Sequence, residues 1–200
     1  MVKDAYKFAL PALALAVLFA LLSLPYLGFL FFILALFICF FFRNPDREIP
    51  KGENLIVSPA DGKVVKIAQA PDGLKTISIF LNIFNVHVTR SPIAGILESV
   101  VYKRGKFKVA FDEEASRVNE QNIITIAGQG IQVEVRQIAG LIARRVICWT
   151  KPKQSLERGE LFGLIRFGSR VDITLPEKTK ILAKVGDHVK GGSSILGEHS

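Results

Sequence analysis

A mainly β soluble domain carried on an N-terminal α-helical membrane hairpin is the architecture this sequence predicts. Three observations predict it. Residues Phe8 to Phe42 form 35 consecutive positions without a charged side chain. After Pro50 the chain breaks into short alternating apolar runs separated by glycine, proline and aspartate. No amphipathic stretch longer than two helical turns interrupts that alternation.

The apolar run comes first. A bilayer core about 30 Å thick takes about 20 helical residues, so 35 are too many for one upright span and barely enough for two. Pro25-Tyr26-Leu27-Gly28 falls near the middle and supplies a turn, giving two short helices of about 17 residues within an anchor spanning 1–42. One long tilted helix is the alternative. A cleaved signal peptide is excluded by length, since its apolar core runs about 7 to 15 residues, and by the lack of a small-residue cleavage site. Lys3 and Lys7 precede the run while Arg43 and Arg47 follow it. Positive charge stays cytoplasmic, so both flanks, and with them the soluble domain, are expected on the cytoplasmic side of the cell membrane.

Residues 43–200 leave 158 positions, enough to bury a core without disulfides or metal. KVVKIAQA, LKTISIFLNIF, NIITIAG, IQVEVRQI, LIARRVICW and RVDITLP read as strands. Pro71-Asp72-Gly73 and Gly128-Gln129-Gly130 read as the turns between them. Cys39 and Cys148, the only cysteines, support neither a disulfide framework nor a cysteine zinc site and fit a reducing compartment. Of the net charge of +8, +7 arises after residue 42, where 24 Lys and Arg face 17 Asp and Glu. On a domain tethered to a bilayer, that surface points to anionic lipid headgroups and not to nucleic acid. Lys103-Arg104-Gly105-Lys106-Phe107-Lys108, four cations around one aromatic, suits either an anionic leaflet or an ordinary solvated hairpin tip.

Two turns far apart in sequence, Ser58-Pro59-Ala60-Asp61-Gly62-Lys63-Val64-Val65 and Val185-Gly186-Asp187-His188-Val189-Lys190-Gly191-Gly192, resemble the turns of the biotinyl and lipoyl carrier fold. A β-sandwich or barrel partly of that kind is expected. A carrier function is not, because no lysine follows Lys190 to be modified.

Three polar residues stand where core packing would not ask for them. Asp61 lies in a turn, where aspartate ordinarily bonds nearby amides. His87 follows the apolar run IFLNIF and precedes Val88-Thr89-Arg90. Ser169 lies in Phe167-Gly168-Ser169-Arg170, where glycine and serine commonly make a bulge. Ser, His and Asp together suggest a hydrolase relay. The local frame argues against one: the strand-turn-helix elbow needs glycine two residues either side of the serine, and here those positions hold Phe167 and Val171.

FFRNPDREIP (41–50), SPADGKV (58–64), FLNIFNVHVTRSPIAG (80–95), IAGLIARRVICW (138–149) and ERGELFGLIRFGSRVDITLP (157–176) together resemble the short form of the phosphatidylserine decarboxylase proenzymes, in the family's order and across the soluble domain. The resemblance implies a proenzyme that cuts itself between Gly168 and Ser169, leaving 1–168 as the β subunit and 169–200 as the α subunit, paired as a heterodimer. Ser169 then becomes a pyruvoyl group that forms a Schiff base with the amine of phosphatidylserine or a related aminophospholipid. Carbon dioxide leaves, and phosphatidylethanolamine is released. No pyridoxal phosphate and no metal is implied. An ether lipid, archaetidylserine, would meet the same chemistry.

Serine suits the cut because its hydroxyl can attack the preceding carbonyl and turn the amide into an ester, and glycine before it gives the backbone room. His87 is the expected base for the hydroxyl proton and acid for the decarboxylated carbanion; Asp61 is expected to orient and stabilise the imidazolium. Longer members of the family carry two histidines in this segment, whereas here Arg90 stands at the second position. Arg144 or Arg145 is a candidate for the substrate phosphate or carboxylate. His188 and His199 are expected to be solvated.

Overall fold

The computed structural model describes residues 1–105, 118–128, 130–140, 145–166 and 169–199. The chain divides into two units, Met1–Asp46 and Arg47–Ser200.

In the first unit, a 3-10 turn at Lys3–Ala5 leads into helix α1 (Tyr6–Leu21), and three residues turn the chain into helix α2 (Pro25–Phe41). Proline opens α2, where its missing N–H costs no helical bond. The helices pack closely because the seam is small. The buried residues of α1 are Ala9, Ala12 and Ala16, and a Cβ added at Gly28 of α2 would meet the Ala16 carbonyl oxygen at 3.0 Å. Phe8 stacks on Phe42 and Phe19 on Phe31, an antiparallel order. Large apolar side chains, among them Leu10, Leu21, Phe29 and Leu30, point outward. Small residues line most of the seam, with Ile38 and Phe41 also buried, and many large apolar side chains point outward, which suits a lipid solvent, where packing and not water exclusion joins helices. Lys3–Leu21 is long and apolar enough to cross a membrane, and Pro25–Phe41 is a shorter apolar helix.

The second unit is built of strands. In chain order they are β1 (Leu55–Val57), β2 (Gly62–Gln69), β3 (Lys75–Leu81), β4 (Val88–Arg90), β5 (Gly95–Lys103), β6 (Gln121–Gly128), β7 (Ile131–Ala139), β8 (Val146–Cys148), β9 (Ser155–Leu156), β10 (Leu161–Ile165), β11 (Ser169–Leu175), β12 (Lys180–Ile181), β13 (His188–Val189) and β14 (Ile195–Glu198). Among the described residues they form an eight-stranded sheet, β13-β2-β3-β11-β7-β6-β5-β9, and two of three strands, β4-β10-β8 and β1-β14-β12. Alternation positions the core. In β7, Val133 and Val135 are buried between the less buried Gln132, Glu134 and Arg136, and they join Ile77, Ile79, Ile124, Ile126, Val171 and Ile173 in one apolar cluster.

Each of the six strand segments read from the sequence contains a strand, but LKTISIFLNIF stops early. β3 ends at Leu81, because the next four residues form a turn pinned by asparagines: Asn82 N donates to Asn85 Oδ1 and Phe84 N to Asn82 Oδ1, both at 2.9 Å. Ile83 and Phe84 are left exposed. The two glycine-rich turns, distant in sequence, interlock. His188 pairs with Lys63 and Val189 with Gly62, while Gly192 N donates to the Ser58 carbonyl at 2.8 Å.

β10 approaches the large sheet without side-chain bulk at Gly163. A Cβ there would meet Gln137 Nε2 at 2.7 Å, Thr89 Oγ1 at 3.1 Å and the Ile147 carbonyl oxygen. This spot is a buried polar network: Gln137 of β7 donates to Thr89 of β4 at 2.8 Å and accepts from Asn122 of β6 at 3.2 Å. Gly163→Ala is therefore expected to destabilise the fold by at least about 1–3 kcal/mol, read as a lower midpoint of thermal unfolding by circular dichroism.

Candidate active site

Ser169 is the first residue of β11 and pairs in register with Leu81 of β3 and Ala139 of β7. Because side chains alternate along a strand, its hydroxymethyl group shares the core face with Val171 and Ile173. The residue is fully buried, and its Oγ has no hydrogen-bond partner among the described residues. A buried hydroxyl without a partner costs roughly 1–3 kcal/mol, so its presence calls for a reason beyond packing. Phe167 and Gly168, the other side of the expected scissile bond, lie outside the described residues.

His87 is also fully buried. Its Nδ1 stands 2.9 Å from the Asn85 carbonyl oxygen. A carbonyl only accepts, so Nδ1 carries the proton of the neutral ring and Nε2 is the basic nitrogen. The topology brings His87 and Ser169 to parallel crossings. β10, in a three-stranded sheet, is followed along the chain by β11 of the large one, and β3 of the large sheet is followed by β4 beside β10. Leu81 pairs with Ser169 at one end, and Ile165 N donates to the His87 carbonyl at 3.1 Å at the other.

Asp61 sits in the turn before β2. Both of its oxygens accept from Arg47 Nη2 at 2.8 Å, and Oδ1 also accepts from Gly191 N at 2.8 Å. This pair is largely buried, with side-chain exposures of 14% for Asp61 and 9% for Arg47. Asp61 therefore holds the interlocked turns together, and the group on His87 Nδ1 is Asn85. Neither Asn85 nor the ion pair with Arg47 was singled out in the sequence. The asparagine spacing of a pinned turn was the readable signal for the first; the second joins segments whose meeting no local pattern announces.

Arg90 occupies the place of the second histidine. It is buried, and its Nη1 donates to the Gly159 carbonyl at 2.8 Å, tying β4 to the turn before β10. Arg170, directly after Ser169, is buried on the face opposite the serine side chain, where it donates to Asp172 at 2.6 Å and to Ser78 Oγ at 2.8 Å. Arg145 is exposed and, with Arg104, lies near Tyr102; desolvation and a hydrogen bond to the Glu120 carboxylate push the Tyr102 hydroxyl above its ordinary pKa. Arg144 and the Lys106-Phe107-Lys108 part of the basic cluster lie outside the described residues. His188 is exposed as expected, whereas His199 is buried, its N–H donating to the Asn54 carbonyl at 3.0 Å. β14 carries it inward between β1 and β12.

A family model described as phosphatidylserine decarboxylase matches residues 34–197. A phosphatidylserine decarboxylase proenzyme of Solibacter usitatus is 49% identical over 94% of this chain and 92% of its own length. Proenzymes of the same name from Syntrophus aciditrophicus and Carboxydothermus hydrogenoformans are 48% and 45% identical, over 81% and 98% of this chain and 79% and 95% of theirs. With matches of this extent to both the family model and its individual members, the chain belongs to the phosphatidylserine decarboxylase family.

Proposed function

We propose that the chain is made as a proenzyme, cuts itself between Gly168 and Ser169, and then converts phosphatidylserine to phosphatidylethanolamine and carbon dioxide. The observation that carries this reading is the buried Ser169 hydroxyl, placed at the sheet crossing beside that of His87.

For the cut, Ser169 Oγ attacks the Gly168 carbonyl carbon while His87 Nε2 takes the hydroxyl proton. The resulting ester replaces the amide. Removal of the Ser169 Cα proton then expels the Gly168 carboxylate, with Oγ departing on it, and leaves dehydroalanine on residues 169–200. Water replaces the nitrogen, ammonia leaves, and the former serine is a pyruvoyl group. The surroundings fit that group: Cβ becomes a methyl on the core face that also carries Val171, and the departing Oγ leaves no hydrogen-bond partner behind among the described residues. The pyruvoyl group supplies a ketone that captures the headgroup amine and accepts the electron pair released with carbon dioxide. His87 delivers the proton that replaces the carboxylate, the Asn85 carbonyl keeps the ring in one tautomer, and the Asp61 carboxylate supplies negative charge that favours the imidazolium.

The relatives' names favour phosphatidylserine over archaetidylserine as the substrate. The likeness to the biotinyl and lipoyl carrier fold is supported by the interlock of Lys63 with His188 and Ser58 with Gly192. Purified chain incubated with phosphatidylserine is expected to release phosphatidylethanolamine; a mature chain that leaves the lipid unchanged would overturn the assignment.

The helical pair spans the membrane, and both of its ends face the cytoplasm. In a chain with Cys39 and Cys148 replaced by serine, cysteines at Lys3 and Lys51 are expected to resist an impermeant thiol reagent in intact cells and to react after lysis. Labelling of Lys3→Cys alone before lysis would indicate a single span.

A further inference from the structure

A cavity of about 470 Å3 opens beside the interlocked turns, lined among others by Lys63, Phe80, Asn82, Asn85, Val185 and His188. Its volume falls in the range of about 300–1,000 Å3 typical of small-molecule sites. Two features give it a chemistry. Lys63 and His188 are directly paired across β2 and β13, so an ammonium and an imidazole stand side by side on one face. No aspartate or glutamate is among the described residues lining the cavity, so an anion would meet donors and no repelling charge.

Two further features tie the cavity to the reacting residues and to lipid. Asn85 lines it while its carbonyl holds His87 Nδ1. Lys63 is in register with Phe80, and Phe80 with Arg170, which follows Ser169. By this register Lys63, Phe80 and Arg170 share the face opposite the Ser169 side chain, at the end of the sheet where β11 begins, so the link to the reacting residues runs through the turn of Asn82 and Asn85. Between the two lining asparagines the chain exposes Ile83 and Phe84, the latter by 63%, and Val185 on the opposite turn is 60% exposed. The Asn82 and Asn85 side chains pin that apolar tip in place.

We propose that this cavity holds the phosphodiester of the phospholipid substrate on Lys63 and His188, with Ile83, Phe84 and Val185 set against the apolar part of the leaflet. The proposal rests on the decarboxylase reading and assigns the side of the domain from which the lipid arrives. Anionic headgroup and free phosphate share the recognised chemistry; the apolar tip favours the lipid.

The test reads binding without turnover. In full-length Ser169→Ala chain in detergent, modification of exposed His188 by diethylpyrocarbonate is followed by peptide mass spectrometry. Dihexanoyl phosphatidylserine at about four times its dissociation constant is expected to slow that modification about fivefold. Inorganic phosphate at the same concentration is expected to slow it much less. Lys63→Glu and the milder Lys63→Gln, each checked for an unchanged thermal melt, are expected to remove the protection. No protection by the lipid, equal protection by phosphate, or protection undiminished in Lys63→Gln would each overturn the proposal. Failure of the decarboxylase reading would show itself separately, as unaltered mature chain that does not consume phosphatidylserine.

Discussion

Ser169→Ala is expected to yield a single uncut chain of 200 residues without decarboxylase activity. The substitution removes one oxygen from a site where that oxygen has no hydrogen-bond partner among the described residues. Alanine keeps Cβ, fits the same space between Leu81 and Ala139, and relieves a desolvated hydroxyl. Folding stability is expected to stay within about 1 kcal/mol of the parent, or to rise slightly. Loss of the cut would then report chemistry and not collapse of the sheet. Gel electrophoresis for the cut, headgroup analysis for activity and a thermal melt for the fold together check it. Cleavage persisting in this variant, or occurring at another bond, would remove Ser169 from its assigned role.

His87→Ala is expected to slow the cut by about 10²–10⁴-fold, the usual range for a positioned base. A neutral serine hydroxyl without one is a poor nucleophile. Asp61→Asn is expected to slow the same step by a smaller factor, but here two causes must be separated. The carboxylate neutralises Arg47, and an arginine left in a largely buried site without its counter-charge is destabilising by up to about 3–5 kcal/mol. Asp61→Asn combined with Arg47→Met removes both charges and is expected to recover the melt while leaving the cut slow. If the double variant matured at the parent rate, Asp61 would matter only as a partner of Arg47. Normal maturation of His87→Ala would contradict the assigned base outright.

The fold class was legible because two periodicities are plain in the residues. Thirty-five uncharged positions with a proline near the middle specify paired apolar helices, although the turn falls at residues 22–24, because Pro25 opens the second helix and Gly28 lies within it against Ala16. Alternation such as that of Val133, Glu134, Val135 and Arg136 specifies a sheet with one buried face. The site was legible as residue types. FGSR supplies serine and glycine, and one histidine lies buried in its segment. Less legible was everything made by distant pairing. β13 and β12 are two residues long and exist only because β2 and β14 are there to accept them. Arg47 finds Asp61 through a turn that Gly191 also joins, and His199 is buried because β14 runs between β1 and β12. The early end of β3 has a different cause: three apolar residues in LNIF suggest strand, yet the side chains of Asn82 and Asn85 offer the backbone a competing set of bonds.

The central claim is that Ser169 is converted into the group that performs the decarboxylation, and intact mass of the purified chain tests it most directly. Two species are expected, residues 1–168 ending in a free carboxylate and residues 169–200 beginning with a pyruvoyl group. Only the smaller should gain mass with a hydrazide that captures ketones, and it should resist stepwise amino-terminal degradation. A single species near 22.1 kDa that ignores the reagent, or a small fragment beginning with an ordinary serine amine, would contradict the account.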